Sequence, residues 1–340
     1  MAAVEMTARG GAPRPGSTID QRCLCDIHVR NAAKTREARL EARSIVRRAA
    51  RCIWNFSPAG GLPLYEGMLE QPSPTAPNQP VTAASHAGPD RVVELFNLGG
   101  GAPVLLLCDH AGRWVPPELE DLGLPAMELA RHIGWDIGSA DVTRHLARLL
   151  DAPAVLCHVS RLVIDPNRKP GDPSSIPVIS DGTLVPANQD LSPDEARWRL
   201  RRFFLPYHRT VARQIGHLRR GGVPVIVSMH SFTPRLGGTW RPWHAAVLWD
   251  TDPRLSAPVL AALRREPGLH IGDNEPYSGR YPVGYSIPFH AARPRLPHVT
   301  FEIRQDLIDT RDAAAAWAER LAGVLREPLS DRKLYALNGS

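Results

Sequence analysis

From Arg91 onward, short apolar runs alternate with segments of helical periodicity. Residues 104–107, 154–156, 162–164, 223–227, 245–248 and 299–303 are apolar throughout or nearly so, and each is too short for a core helix, so they read as strands of a largely buried sheet. The intervening segments carry helix signals. Ser192-Pro-Asp-Glu195 is a capping box with proline at the first helical position, and it predicts a helix to about Arg220 that Pro206 should kink. After Thr310-Arg-Asp312, the residues Trp317, Leu321 and Val324 recur at i, i+4 and i+7, which predicts a terminal amphipathic helix.

Strands alternating with helices imply a layered α/β domain, placed at residues 91–330. Residues 331–340 read as a tail. Residues 1–90 read as a low-order extension, because 10–16 are Gly/Pro-rich and 71–89 are rich in Pro, Ser, Ala and Asn, compositions that bury little surface. Between them, 32–53 is Arg/Ala/Glu-rich and could form a solvated helix, and Met68 offers an alternative start.

Composition changes this picture in one respect. The net charge of +6 invites a nucleic-acid partner, but residues 1–67 hold 11 basic and 6 acidic side chains, leaving 30 against 29 in the remainder. The predicted domain is nearly neutral, so no nucleic-acid partner is expected. The five cysteines match neither a disulfide framework nor a zinc ribbon, and reduced thiols in the cytoplasm are the expectation. No apolar run approaches ~18 residues, so no membrane span is expected. Nothing indicates an oligomeric state.

Candidate chemistry gathers where strands end, which is where ligands collect in open α/β sheets. Val104-Leu-Leu-Leu-Cys-Asp-His110 and Val225-Ile-Val-Ser-Met-His230 each deliver a histidine to a strand exit. In His298-Val-Thr-Phe-Glu-Ile-Arg304, alternation puts Glu302 and Arg304 on one face. A zinc hydrolase needs three protein ligands, an open fourth position, and a separate carboxylate to take a proton from water. His110, His230 and the lone acid Asp136 could supply the ligands, with Glu302 as general base. Each has a structural alternative: a satisfied core histidine, a helix cap at Asp136, an ion pair between Glu302 and Arg304.

Six segments in order extend this reading: Asp109-His-Ala-Gly112, Gly134-Trp-Asp-Ile-Gly138, Ser160-Arg-Leu-Val-Ile-Asp-Pro-Asn-Arg168, Ser228-Met-His-Ser231, Asn274-Glu-Pro-Tyr-Ser-Gly279 and Phe301-Glu-Ile-Arg-Gln-Asp306. Together they resemble the N-formylglutamate amidohydrolase family, which is related to the zinc carboxypeptidases. The resemblance implies a three-layer α/β/α fold of the zinc-carboxypeptidase, phosphorylase/hydrolase-like kind, with a mostly parallel or mixed central sheet. It implies Zn2+ or another divalent metal on His110, Asp136 and His230, with Glu302 as general acid/base. The expected partner is a small acidic acyl amino acid, held by Arg161, Arg168 and Arg304, with Asn167 orienting the amide and His290 near the oxyanion. Other acyl amino acids or small peptides, and a non-catalytic binding role, stand as alternatives. Two differences from the related pattern are visible: Ala111 stands where the family often has serine, and Arg113 replaces the glutamate of the carboxypeptidase His-x-x-Glu pair.

Overall fold

The computed structural model describes residues 92–281 and 284–335; the extension expected over residues 1–90 lies outside them. Seven strands form one sheet: β1 (Val93–Phe96), β2 (Val104–Cys108), β3 (Ala154–Cys157), β4 (Val225–Phe232), β5 (Ala245–Leu248), β6 (Ile271–Asp273) and β7 (His298–Arg304). Their spatial order is β1-β3-β2-β4-β7-β5-β6. The four central strands are parallel. β1 runs antiparallel to β3, β5 runs antiparallel to β7, and β6 follows β5 in parallel, so the sheet is mixed.

Helices cover both faces, which is why the central strands are buried at nearly every position. Val104, Leu106 and Cys108 of β2 pack with residues of α1 (Ser139–Leu149), α4 (Pro253–Arg264) and α5 (Arg311–Ser330). Leu105 and Leu107 point the other way, into a cluster with Phe203, Phe204 and Val211. That layer is built by α2 (Pro193–Arg199) and α3 (Leu205–Leu218). The result is a three-layer α/β/α arrangement.

Local signals explain the helix ends. The Ser192 side chain accepts from the Glu195 N–H with Pro193 in the first turn, and Thr310 caps α5 by accepting from Ala313. Before Pro206, where a kink is expected, the helix passes through a π turn over Leu200–Phe204, in which the Leu205 N–H reaches back to the Leu200 carbonyl. Proline lacks a donor, and the wider turn shifts the hydrogen-bond register just before it. Trp317, Leu321 and Val324 are all buried. The fold continues past Ser330 into a 3₁₀ turn, Arg332–Tyr335, that buries Leu334.

Two expectations need correction, and two strands lie outside the expected set. Residues 162–164 are buried but form no strand: the Val163 N–H closes a turn onto Ser160, and an apolar run reports burial rather than pairing. β1 and β6 carried no readable signal, because β1 is a half-buried edge containing Glu94 and β6 is three residues including Gly272. β4 extends to Phe232, so His230 lies within a strand rather than beyond its end.

The topology sets the position of the site. From β2 the chain passes through α1 to β3 on one side, then through α2 and α3 to β4 on the other. The crevice at the carboxyl ends of β2 and β4 is a topological switch point, the usual ligand position in such sheets.

Candidate active site

His110 follows β2 by two residues, and its carbonyl accepts from the Asp136 N–H at 3.0 Å, which pins the 134–138 loop over the switch point. Gly138 makes that loop possible. Its φ of +80° is strained for any side chain, and a Cβ there would sit 2.1 Å from the Ile308 carbonyl oxygen. Asp136 is thereby aimed inward instead of capping α1, whose N-cap position is Gly138 with no side-chain bond.

The two imidazoles and this carboxylate converge. His110 Nδ1 lies 3.3 Å and His230 Nδ1 2.9 Å from the same oxygen, Asp136 Oδ2, and the rings are 5.0 Å apart between centroids. One ligand atom from each of the three lies within 4.8 Å of the others, and all three residues are buried. Asp136 Oδ1 accepts from Arg161 at 2.9 Å, and Oδ2 also accepts from the Ser231 N–H at 3.3 Å. Burial alone would raise the Asp136 pKa, but the charges of His110 and Arg161 and the imidazole hydrogen bonds hold it well below the usual carboxylate range.

The far nitrogen of each ring faces a second carboxylate. His110 Nε2 is 2.7 Å from Asp165 Oδ1, and His230 Nε2 is 3.3 Å from Asp109 Oδ2. Asp109 Oδ1 accepts from Tyr207 and Ser286, both at 2.7 Å, and Asp165 Oδ1 accepts from the Asn167 N–H. Metal-bound histidines are ordinarily oriented in this manner, with the outward nitrogen on a carboxylate and the inner one on the ion. The donor set therefore fits a divalent cation such as zinc. Burial works against a charged His230, yet the contacts with Asp109 and Asp136 raise its pKa well above the usual value.

Glu302 stands beside His230 in the β4–β7 register. It is 6% exposed, and its Oε2 has no hydrogen-bond partner among the described residues. Burial pushes its carboxyl up to about 7, against the pull of His230 and with a further push from Asp136. A carboxyl of that proton affinity, with one oxygen uncommitted, is suited to accept and return a proton near neutral pH.

Of the remaining expected residues, Arg161 and Asn167 touch the centre or its supporting carboxylates, while Arg168, Arg304 and His290 are held by partners outside it. Arg161 bridges Asp136 and Asp165. Asn167 Oδ1 accepts from the Tyr285 and Ser286 N–H groups at 2.7 and 3.1 Å, and Arg168 donates to the Asn167 carbonyl. Arg304 pairs with Asp306 at 2.8 Å and lies over the Trp240 ring. His290 Nε2 is 2.9 Å from His208 Nδ1, whose Nε2 is 2.9 Å from the Pro166 carbonyl. A carbonyl can only accept, so a neutral His208 donates to it and accepts from His290. Burial, then the neighbouring imidazole, hold His290 well below its usual pKa, so it acts as a neutral ring.

Sequence reasoning passed over the supporting shell of Asp109, Asp165, Tyr207, His208 and Ser286. Asp109 adjoins His110, and Asp165 is a lone acid between Ile164 and Pro166; their position was the available signal.

Residues 102–309 match the family model described as N-formylglutamate amidohydrolase. Among solved structures, gene product Atu2144 from Agrobacterium tumefaciens is 35% identical, with a TM-score of 0.68 over 70% of this chain and 95% of that one. An N-formylglutamate amidohydrolase from Ralstonia eutropha JMP134 is 18% identical, with a TM-score of 0.50 over 72% of this chain and 99% of that one, a likeness of fold. No curated protein matches the chain.

Proposed function

The chain belongs to the N-formylglutamate amidohydrolase family, and we propose that it hydrolyses the amide bond of an N-acylated acidic amino acid, with N-formyl-L-glutamate the first substrate to test. The products are formate and L-glutamate. The observation that carries this reading is the pairing of a buried His110–Asp136–His230 donor set with Glu302, whose second oxygen is uncommitted.

His110, Asp136 and His230 would hold a zinc ion, which when bound would supply a Lewis acid and lower the pKa of water. Asp165 and Asp109 fix the two rings through their outward nitrogens. Glu302 accepts the proton of the attacking water as its oxygen bonds to the formyl carbon. The same carboxyl returns that proton to the amide nitrogen as the C–N bond breaks, so the amine leaves neutral together with formic acid, whose remaining proton then passes to the amine to give formate and the ammonium form. Arg161 compensates the negative charge of Asp136 and Asp165. Arg168 and Arg304 are the further cations of the pocket, Asn167 holds its 284–286 wall, and neutral His290 is a dipole behind it. The free, buried thiols of Cys108 and Cys157 fit a reducing, cytoplasmic setting. Among the described residues, no helix is long and apolar enough to cross a membrane.

Metal analysis joined to a formate-release assay tests the assignment. Glu302→Gln should keep the metal and lose at least ~100-fold in turnover, whereas His110→Ala and His230→Ala should lose the metal. Full activity in Glu302→Gln would end this mechanism.

A further inference from the structure

Arg241 closes the hairpin of residues 235–240 that leads from β4 towards β5, and it is 7% exposed. Its guanidinium lies 4.9 Å from the Tyr277 ring centroid and 5.9 Å from that of Phe232, and Nη1 donates to the Tyr277 hydroxyl at 3.0 Å. None of these neighbours is an anion. Arg199 has Glu195, Arg304 has Asp306, and Arg161 has both Asp136 and Asp165. Arg241 has no carboxylate partner among the described residues. Aromatic faces offset part of the cost of burying such a cation, but an uncompensated buried charge destabilises a fold. Such a cation is open to completion by an anion from outside the chain.

Its position says what that is. Phe232 lies two residues beyond His230 on the same face of β4, as Arg304 lies beyond Glu302 on β7. Arg241 therefore packs against a residue that follows His230 by one pleat, ~7 Å, on the same face. The charges of Glu302 and Arg161 both reach the Tyr277 hydroxyl that Arg241 holds. A planar fork with only Nη1 engaged offers parallel donors that match a carboxylate. Resting on the amidohydrolase reading above, we propose that Arg241 binds a carboxylate of the substrate and makes the site selective for acidic over neutral acyl amino acids.

The test uses the metal-loaded full chain. Calorimetry measures binding of L-glutamate and L-glutamine, and formate release gives kcat and KM for N-formyl-L-glutamate. Arg241→Gln should weaken L-glutamate at least ~30-fold, about 2 kcal/mol, and raise KM to match. Glutamine binding and kcat should stay within ~3-fold. A purely structural role would weaken both ligands alike and lower Tm, which overturns the proposal. Unchanged L-glutamate affinity in the variant, or none in the wild type, overturns it too. Should Arg241→Gln not fold, Arg241→Lys keeps the charge but not the fork; L-glutamate affinity equal to wild type would then refute the assignment, and at least ~5-fold weaker binding, about 1 kcal/mol, would support it. A wild type that binds L-glutamate through Arg241 yet releases no formate sinks the hydrolase reading alone. Formate release with KM untouched in Arg241→Gln sinks the carboxylate assignment alone.

Discussion

Replacing Gly138 by alanine tests whether the loop carrying Asp136 is held by backbone geometry. At φ +80° a Cβ meets the following carbonyl, a strain of roughly 1–2 kcal/mol. The same atom would lie 2.1 Å from the Ile308 carbonyl oxygen, far inside van der Waals contact, so the backbone of one segment must move. Overpacking of this sort costs about 1–3 kcal/mol. Because the Asp136 carbonyl accepts from Ser139 and its N–H donates to His110, movement at 138 reaches the candidate metal ligands. Gly138→Ala should lose about 2–5 kcal/mol, read as a Tm drop of roughly 5–15 °C in chelator. In competition titration its zinc affinity should fall at least ~10-fold, about 1.4 kcal/mol. A variant with wild-type Tm and wild-type zinc affinity would refute the argument, by proving that the 134–138 loop accommodates a side chain without disturbing Asp136.

Three further outcomes are expected. Asp165→Asn should keep the fold by far-UV circular dichroism but bind zinc ~10–100-fold more weakly, since His110 loses the carboxylate that orients it. Asn167→Ala should cost ~1–3 kcal/mol by releasing the Tyr285 and Ser286 N–H groups, with faster amide exchange at those two residues as the check. The pH dependence of the metal-free protein has opposing parts. Glu302 binds its proton more tightly folded (about 7) than at the usual 4.5, so its contribution is full below that usual value and is lost as pH rises through 7. Asp109, Asp136 and Asp165 are depressed and contribute stability above the usual carboxylate range that is lost on acidification. Denaturation of Glu302→Gln in chelator should accordingly show a smaller loss of stability between pH 5 and 8 than wild type; an identical slope would count against the assignment.

Much of the layered fold was legible in local pattern. Fully buried β2 and β4 announced themselves as apolar runs, and Ser192 and Thr310 marked helix starts that the structure realises. A pattern of this kind reports burial and period, not partners. It could not tell the buried turn at 162–164 from a strand, nor raise the half-polar edge β1 above background. It showed that histidines follow or interrupt apolar runs, and the motif order added the family resemblance.

What the tertiary structure alone decided is which groups meet. Asp136 reaches His230 across 94 residues of chain, and Ser286 reaches Asp109 across 177. The strand order places β2 and β4 side by side and so opens the crevice between them. Burial and proximity then separate carboxylates that look alike in sequence: Asp136 is held ionised by His110 and Arg161, while Glu302 is pushed towards neutrality. Proton affinity and charge compensation depend on distances between chain-distant groups, and those distances exist only once the sheet has formed.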